Sequence, residues 1–125
     1  MENFKLSINM TEWMGRGVFS KEKIYAREII GVYELLELSD EETSKIKETV
    51  IAKYTYKLEK TRDCIALGYA SMINHSNDPN VNYSISKLDG RNVLVLSAKK
   101  EISPEEQLFI DYGADCGNLD PRIYF

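Results

Sequence analysis

The chain has 125 residues, of which 43% are hydrophobic and 29% charged, with a formal net charge of −4. This length predicts a single domain over residues 1–125, and the acidic balance argues against nucleic acid as a direct ligand, because phosphate binding needs a basic surface. Two cysteines and one histidine cannot complete a four-ligand zinc site, so no metal centre is expected. The N-terminus has no apolar leader core, and no run of 18 apolar residues occurs, which predicts a cytoplasmic protein without a membrane span.

Two strands are predicted in the first third of the chain. Residues 4–8 alternate weakly between apolar and polar side chains, and residues 29–38 are rich in apolar residues. Gly15-Arg16-Gly17 interrupts the pattern between them, before Val18 and Phe19. Short strands separated by glycine-containing turns are typical of a β-rich domain.

One helix is predicted after the second strand. Ser39 and Glu42 have the spacing of a capping box, in which each side chain bonds the other residue's backbone. Apolar residues then follow at intervals of four: Ile46, Val50 and Tyr54. This spacing predicts a helix over residues 40–53.

Acidic residues are concentrated around this helix. Residues 28–48 carry seven acidic side chains and two lysines. A solvated helix face with its flanking loops explains this composition. A surface that attracts a basic peptide is the competing interpretation.

Short strands are also predicted for most of the second half. Residues 55–58 and 64–67 flank a polar turn, and Asp89-Gly90 predicts a hairpin between an alternating segment at 81–85 and a strand at 93–96. A last short strand is expected at 108–110. The chain as a whole is therefore predicted to be mainly β, with one short helix.

Three short blocks carry the functional signal. They read GRGVF from Gly15, NHSNDPN from Asn74, and FIDYG ending at Gly113. Each block alone is typical of an ordinary turn or strand end. In this order and within one short chain, they resemble the SET domain of protein lysine methyltransferases, and the resemblance covers nearly the whole chain. The closest type is the minimal viral SET methyltransferase, because Ala66-Leu67-Gly68 and Pro121-Arg122 also fit it. The resemblance implies small curled sheets and a C-terminal pseudoknot, in which the last segment threads beneath a loop beside the Asn-His block.

The resemblance also implies a cofactor, S-adenosylmethionine, and a set of site residues. Tyr112 is implied as the catalytic residue, with its hydroxyl at the centre of methyl transfer. The cofactor-binding residues implied are Gly15, Arg16, Gly17, Asn74, His75 and Tyr112 itself. Glycines suit this role because a turn without Cβ atoms lets backbone groups approach a ligand closely.

The resemblance further implies a narrow channel that receives the substrate lysine. Tyr54 and Tyr83 match channel tyrosines, although a structural role competes for each. Cys116 stands where family members have an aromatic residue. A cysteine is smaller than a tyrosine, so the channel is expected to accept a methylated lysine and to yield di- or trimethyllysine.

The expected substrate is a lysine of a basic protein, such as a histone tail. The protein is expected in the cytoplasm, or in the host nucleus if it is viral or directed to a host. A homodimer is a possible assembly for a protein of this type. One alternative is a catalytically weak SET-like module that binds a basic peptide. Another is a hydrolase using Ser76 or Cys64 with His75, but no acid partner stands at a usable spacing.

Overall fold

We describe residues 5–112 in a computed structural model of the chain. This part folds as nine short strands, one α-helix and two 3₁₀ turns. The strands are β1 (Leu6–Met10), β2 (Arg16–Ser20), β3 (Ile29–Glu37), β4 (Thr55–Glu59), β5 (Arg62–Ala66), β6 (Asn74–His75), β7 (Val81–Leu88), β8 (Arg91–Ala98) and β9 (Phe109–Ile110). The helix α1 is Asp40–Ile46, and the 3₁₀ turns are Val50–Tyr54 and Tyr69–Met72. The expectation of a mainly β chain with one short helix is confirmed.

Three sheets form the framework. The largest has five strands in the order β4-β5-β3-β8-β7, and its paired strands are antiparallel. β3 joins its two halves, because residues 29–34 pair with β8 and residues 35–37 pair with β5. β1 and β2 form an antiparallel hairpin, and β6 pairs with β9 in parallel.

β8 is the central strand of the core. Its residues 93–98 are all buried, so both of its faces are covered. Leu94 and Leu96 face the main core, while Val93 and Val95 pack with Val32 on the opposite side. The predicted Asp89-Gly90 hairpin is confirmed, because β7 and β8 pair along their full length around that turn.

The predicted helix over residues 40–53 is too long. The capping box is present, since Glu42 N–H donates to the Ser39 hydroxyl and Ser39 N–H donates to the Glu42 carboxylate. The α-helix nevertheless ends at Ile46, and the Thr49 hydroxyl donates to the Ile46 carbonyl. Residues 49–51 are three successive β-branched residues, which weaken a helix that has no buried residue to hold it.

Other boundaries also differ from the sequence expectations. The first strand is Leu6–Met10 instead of residues 4–8, and the last is Phe109–Ile110 instead of 108–110. The Gly15–Gly17 segment does not only break the pattern, because Arg16 begins β2. Asn74 and His75, expected in a loop, form the short strand β6. Threading of the C-terminal segment beyond Tyr112, as a pseudoknot would require, lies outside the described residues.

No helix in the described part of the chain is long and apolar enough to cross a membrane.

Candidate functional site

Tyr112 stands directly after β9 and is held at two points by the segment around β6. Its hydroxyl donates to the carbonyl of Ile73 at 2.7 Å. Its backbone N–H donates to Nδ1 of His75 at 3.0 Å, and the two rings lie 5.1 Å apart between centroids. Parallel pairing of β6 with β9 makes these contacts possible, because it places residues 73–75 beside residues 109–112. The structure therefore brings together the second and third sequence blocks.

His75 serves to hold Tyr112 in this arrangement. Nδ1 accepts a hydrogen bond and so carries no proton, which leaves the proton on Nε2, 3.0 Å from the side-chain oxygen of Asn77. Both ring nitrogens thus have protein partners, and the side chain lines neither of the two cavities described below. A contact between His75 and a cofactor stays a prediction.

Asn74 connects the first and second sequence blocks. Its side-chain N–H₂ group donates to the carbonyl of Arg16 at 2.9 Å and to Oε1 of Gln107 at 3.0 Å. No hydrogen bond from a described residue reaches its side-chain oxygen, which therefore keeps its capacity to accept one.

Gly15 and Gly17 of the first block are favoured as glycines for different structural reasons. Gly15 has φ +72°, in the left-handed region that favours glycine. Gly17 is required by space, because a Cβ there would lie 2.5 Å from Oε1 of Gln107 and 2.9 Å from Cγ2 of Thr11. The first block is therefore packed directly against Gln107. Sequence reasoning missed Gln107, since nothing in the pattern shows which residue faces Gly17.

Two cavities adjoin at Tyr112. The larger has a volume of about 430 Å³ and the smaller about 240 Å³. They share one wall, formed by Tyr54, Ser71, Ile73, Asn74 and Tyr112. The smaller cavity is otherwise lined by Met14, Gly15, Arg16 and Met72. Of the residues implied for cofactor binding, Gly15, Arg16, Asn74 and Tyr112 line this smaller cavity, and Gly17 stands behind it.

Four tyrosines among the described residues line the larger cavity. Tyr54 and Tyr83 were expected at such a channel and Tyr112 was expected as the catalytic residue, whereas Tyr56 was not singled out by the sequence. Tyr56 is buried, its hydroxyl donates to the Ala70 carbonyl at 2.6 Å, and its ring meets that of Tyr83 edge-on at 4.9 Å between centroids. The Tyr83 hydroxyl donates to the Asp111 carbonyl at 3.3 Å. Strand alternation would have placed Tyr56 on an inner face, but not beside a cavity.

Burial favours the neutral form of two of these phenols, strongly for the buried Tyr56 and less for Tyr112, which is half exposed. It raises the pKa of Tyr56 well above its ordinary value, and it also raises the pKa of Tyr112, to which the neighbouring Tyr54 adds. Both hydroxyls are therefore neutral and able to donate at physiological pH.

The concentration of acidic residues at 28–48 is largely matched by local partners. Glu34 forms a paired contact with Arg91 at 2.7 Å, and Glu37 lies 3.3 Å from Arg62. Other carboxylates of the segment bond Lys5, Lys45, Thr61 and the backbone of Ser39. This pairing favours the interpretation of the acidic segment as a solvated surface.

Cys116, which was expected at the substrate channel, lies outside the described residues.

Comparison with known proteins places the chain in a family. Residues 15–113 match the sequence model of the SET domain. A Schizosaccharomyces pombe histone-lysine N-methyltransferase, H3 lysine-37 specific, is 39% identical over 110 residues, which cover 86% of this chain and 73% of that protein. The Danio rerio N-lysine methyltransferase KMT5A-A is 26% identical over 125 residues, which cover 86% of this chain and 35% of that protein.

A solved structure agrees with these sequence matches. The crystal structure of a candidate histone methyltransferase from Plasmodium falciparum superposes with a TM-score of 0.75 at 30% identity, covering 89% of this chain and 99% of that one. SET methyltransferases generally use S-adenosylmethionine as the methyl donor. From the match over residues 15–113 and the identity to the S. pombe enzyme, the chain belongs to the SET-domain family, and its enzyme class is S-adenosylmethionine-dependent protein-lysine N-methyltransferase.

Proposed function

We propose that this protein transfers a methyl group from S-adenosylmethionine, bound in the smaller cavity, to a lysine side chain that enters the larger one. The observation that carries the proposal is the wall shared by the two cavities, which contains Tyr112 and Asn74. A methyl donor on one side of that wall and an amine on the other would meet next to the Tyr112 hydroxyl. A binding module for a basic peptide would not need the second cavity.

The residues around the smaller cavity fit the cofactor's chemistry. S-Adenosylmethionine carries an ammonium group and a carboxylate, and it supplies an electrophilic methyl group on a positively charged sulfur. Asn74 offers a side-chain oxygen that can accept from the ammonium group, because both of its N–H bonds point into the protein. Gly15 exposes backbone without a Cβ, and Arg16 provides a cation for the carboxylate.

The larger cavity suits a lysine side chain that must be neutral to react. A protonated amine has no lone pair, and aromatic walls disfavour its charge by removing it from water. The Tyr112 hydroxyl donates to the Ile73 carbonyl, so the phenolic oxygen retains lone pairs that can accept from the amine and orient it. The described residues lining this cavity include no carboxylate and no imidazole, so the amine's proton leaves to water.

The proposed substrate class is a lysine-containing basic protein such as a histone tail. The named relatives support this class, since one is specific for a histone H3 lysine and another is a candidate histone methyltransferase. The identity of the protein and of its lysine stays open to experiment.

The proposal is tested by incubating the protein with core histones and a cofactor carrying an isotope-labelled methyl group, followed by mass spectrometry. We expect label on a lysine side chain and, over the same time, about 100-fold less or lower with Tyr112→Phe. Label on another residue type, or equal labelling by the variant, would contradict the proposal. Peptide binding without any transfer would favour the binding module instead.

Four finer points remain predictions from the sequence alone. These are the minimal viral type, a cytoplasmic or host-nuclear location, a homodimer, and a product of di- or trimethyllysine because of Cys116. Intact-mass analysis of a peptide after long incubation tests the last point. Cys116→Tyr should shift the product towards fewer methyl groups, and a wild-type product that stops at monomethyllysine would contradict it.

A further inference from the structure

We propose that Gln107 is a positioning residue for cofactor binding, because it holds the side-chain amide of Asn74 with its oxygen directed to the ligand. The inference rests on the proposed function, in which Asn74 contacts the cofactor. Gln107 lines neither cavity. It is therefore argued to act through Asn74 and not by touching the ligand.

The orientation of the Asn74 amide follows from its neighbours. The Arg16 carbonyl at 2.9 Å can only accept, so the nitrogen of the amide must face it. The second N–H of the same nitrogen then needs another acceptor, which is Oε1 of Gln107 at 3.0 Å. With both N–H bonds satisfied inside the protein, the amide oxygen is the atom left for a ligand.

The backbone of Gln107 is itself firmly held. The Asn80 side chain donates to the Gln107 carbonyl at 2.8 Å, and Phe19 bridges to Gln107 in an antiparallel pair. On either side, Leu108 N–H donates to the Val18 carbonyl at 2.8 Å and Ser20 N–H donates to the Glu106 carbonyl at 2.9 Å. The side chain of Gln107 thus starts from a fixed point and has a defined reach.

Gly17 makes room for this contact. A Cβ at Gly17 would lie 2.5 Å from Oε1 and 3.1 Å from Cδ of Gln107, so any larger residue would push the amide of Gln107 away from Asn74. The first sequence block, the Asn-His block and the segment that precedes β9 therefore meet at one amide-to-amide hydrogen bond. This gives Gly17 a role in the site although it does not line the cavity.

Loss of the hydrogen-bond acceptor at residue 107 should weaken cofactor binding more than it lowers the rate of methyl transfer. Gln107→Met keeps an unbranched side chain but removes the acceptor, and Gln107→Glu keeps an acceptor. We expect about three- to tenfold weaker binding for Gln107→Met, the effect of one hydrogen bond. Gln107→Glu should stay within about twofold of wild type, since its carboxylate still accepts from Asn74.

The test is calorimetric titration of S-adenosylmethionine into the wild type, Gln107→Met, Gln107→Glu, Asn74→Ala and the double variant Asn74→Ala/Gln107→Met. If Gln107 acts through Asn74, then Gln107→Met should add nothing in the Asn74→Ala background. In the ligand-free protein, the proton resonance of the Asn74 side-chain N–H that faces residue 107 should move upfield in Gln107→Met, where the hydrogen bond is lost, but not in Gln107→Glu, where an acceptor remains. Asn92→Ala, which removes an exposed amide bonded to Glu37, is the matched control for losing one such contact.

Three results would overturn the inference. Wild-type affinity in Gln107→Met would show that the bond does not matter for binding. An additive loss in the double variant would show a structural role independent of Asn74. If S-adenosylmethionine did not bind to the wild type, the cofactor site of the proposed function would be refuted as well. The first two results, in contrast, would leave that site intact and refute only the role of Gln107.

Discussion

Asn74 links two parts of the fold and at the same time presents an atom to the smaller cavity. Its nitrogen bonds Arg16 and Gln107, and its oxygen remains for a ligand. We expect Asn74→Ala to weaken S-adenosylmethionine binding by about tenfold or more, since a hydrogen bond to a charged group contributes more than a neutral one. Calorimetry measures the affinity, and a thermal melt checks the fold. An unchanged affinity would remove Asn74 from the site.

The phenol of Tyr112 gives a prediction about pH. Partial burial, with a contribution from Tyr54, raises its pKa above the ordinary value of a phenol, so it stays mostly protonated up to about pH 10. Turnover should therefore rise or level off between pH 7 and about 10, as the neutral fraction of the lysine grows. The contrary result is a fall in turnover below pH 10 that follows the appearance of tyrosinate absorbance. If that absorbance is also lost in Tyr112→Phe, the phenol of Tyr112 is ionised there and the assignment is wrong.

Among the structural elements, the segment that leads into β9 is held by Asn80. This buried side chain donates to the Gln107 carbonyl at 2.8 Å and accepts from the Phe109 backbone N–H at 2.8 Å. Asn80→Ala should lower the free energy of unfolding by roughly 1–3 kcal/mol, because it leaves two half-buried backbone groups without these partners. Chemical denaturation measures this value, and Asn92→Ala serves as the exposed control. A loss of less than about 0.5 kcal/mol, the usual effect of a surface change, would refute the role of Asn80.

Strands and helices were predicted correctly from the sequence where the residues that define them lie close together along the chain. The β7–β8 hairpin was predictable because Asp89-Gly90 and alternating residues define it within a short segment. The strand β6 was not, since Asn74 and His75 become a strand only by pairing with residues 109–110, far along the chain. The helix was overextended because side-chain spacing does not report the cost of three adjacent β-branched residues.

The candidate site shows the same division between local and distant determinants. The three blocks could be recognised by their residues, and the structure places three of the implied cofactor residues, Gly15, Arg16 and Asn74, around one cavity with Tyr112. Gln107 and Tyr56 could not be found, because their importance lies in contacts with residues distant in sequence. Cys116 lies outside the described residues, and its influence on the product stays a prediction.

Across the molecule, the distribution of charge among the described residues favours a solvated acidic surface over one that attracts a basic peptide. The acidic residues at 28–48 largely have local partners, whereas the two charged side chains among the described residues lining the larger cavity are Lys53 and Lys57. Lys57 lies 3.5 Å from Asp63, which offsets its charge. The described residues that line the cavity therefore carry no negative charge that would attract a basic flank next to the target lysine.

This charge predicts a preference among substrates. Peptides with an acidic residue beside the target lysine should be methylated about two- to fivefold more efficiently than peptides with arginine there, the size expected of an exposed charge pair. Lys53→Glu should reverse the preference, while Lys87→Glu, at an exposed residue that lines neither cavity, should leave it unchanged. Values of kcat/KM at two salt concentrations measure the effect. Equal rates for both peptides in the wild type would refute it.

In the proposed mechanism, methyl transfer takes place where the two cavities meet, next to the Tyr112 hydroxyl. Its most direct test is the single-turnover rate of methyl transfer to a lysine peptide by Tyr112→Phe, compared with wild type at saturating cofactor. Because the hydroxyl acts on the reacting groups, we predict a fall of about 100-fold or more, with cofactor affinity changed by only about threefold. A Tyr112→Phe variant that transfers methyl groups at the wild-type rate would contradict the account.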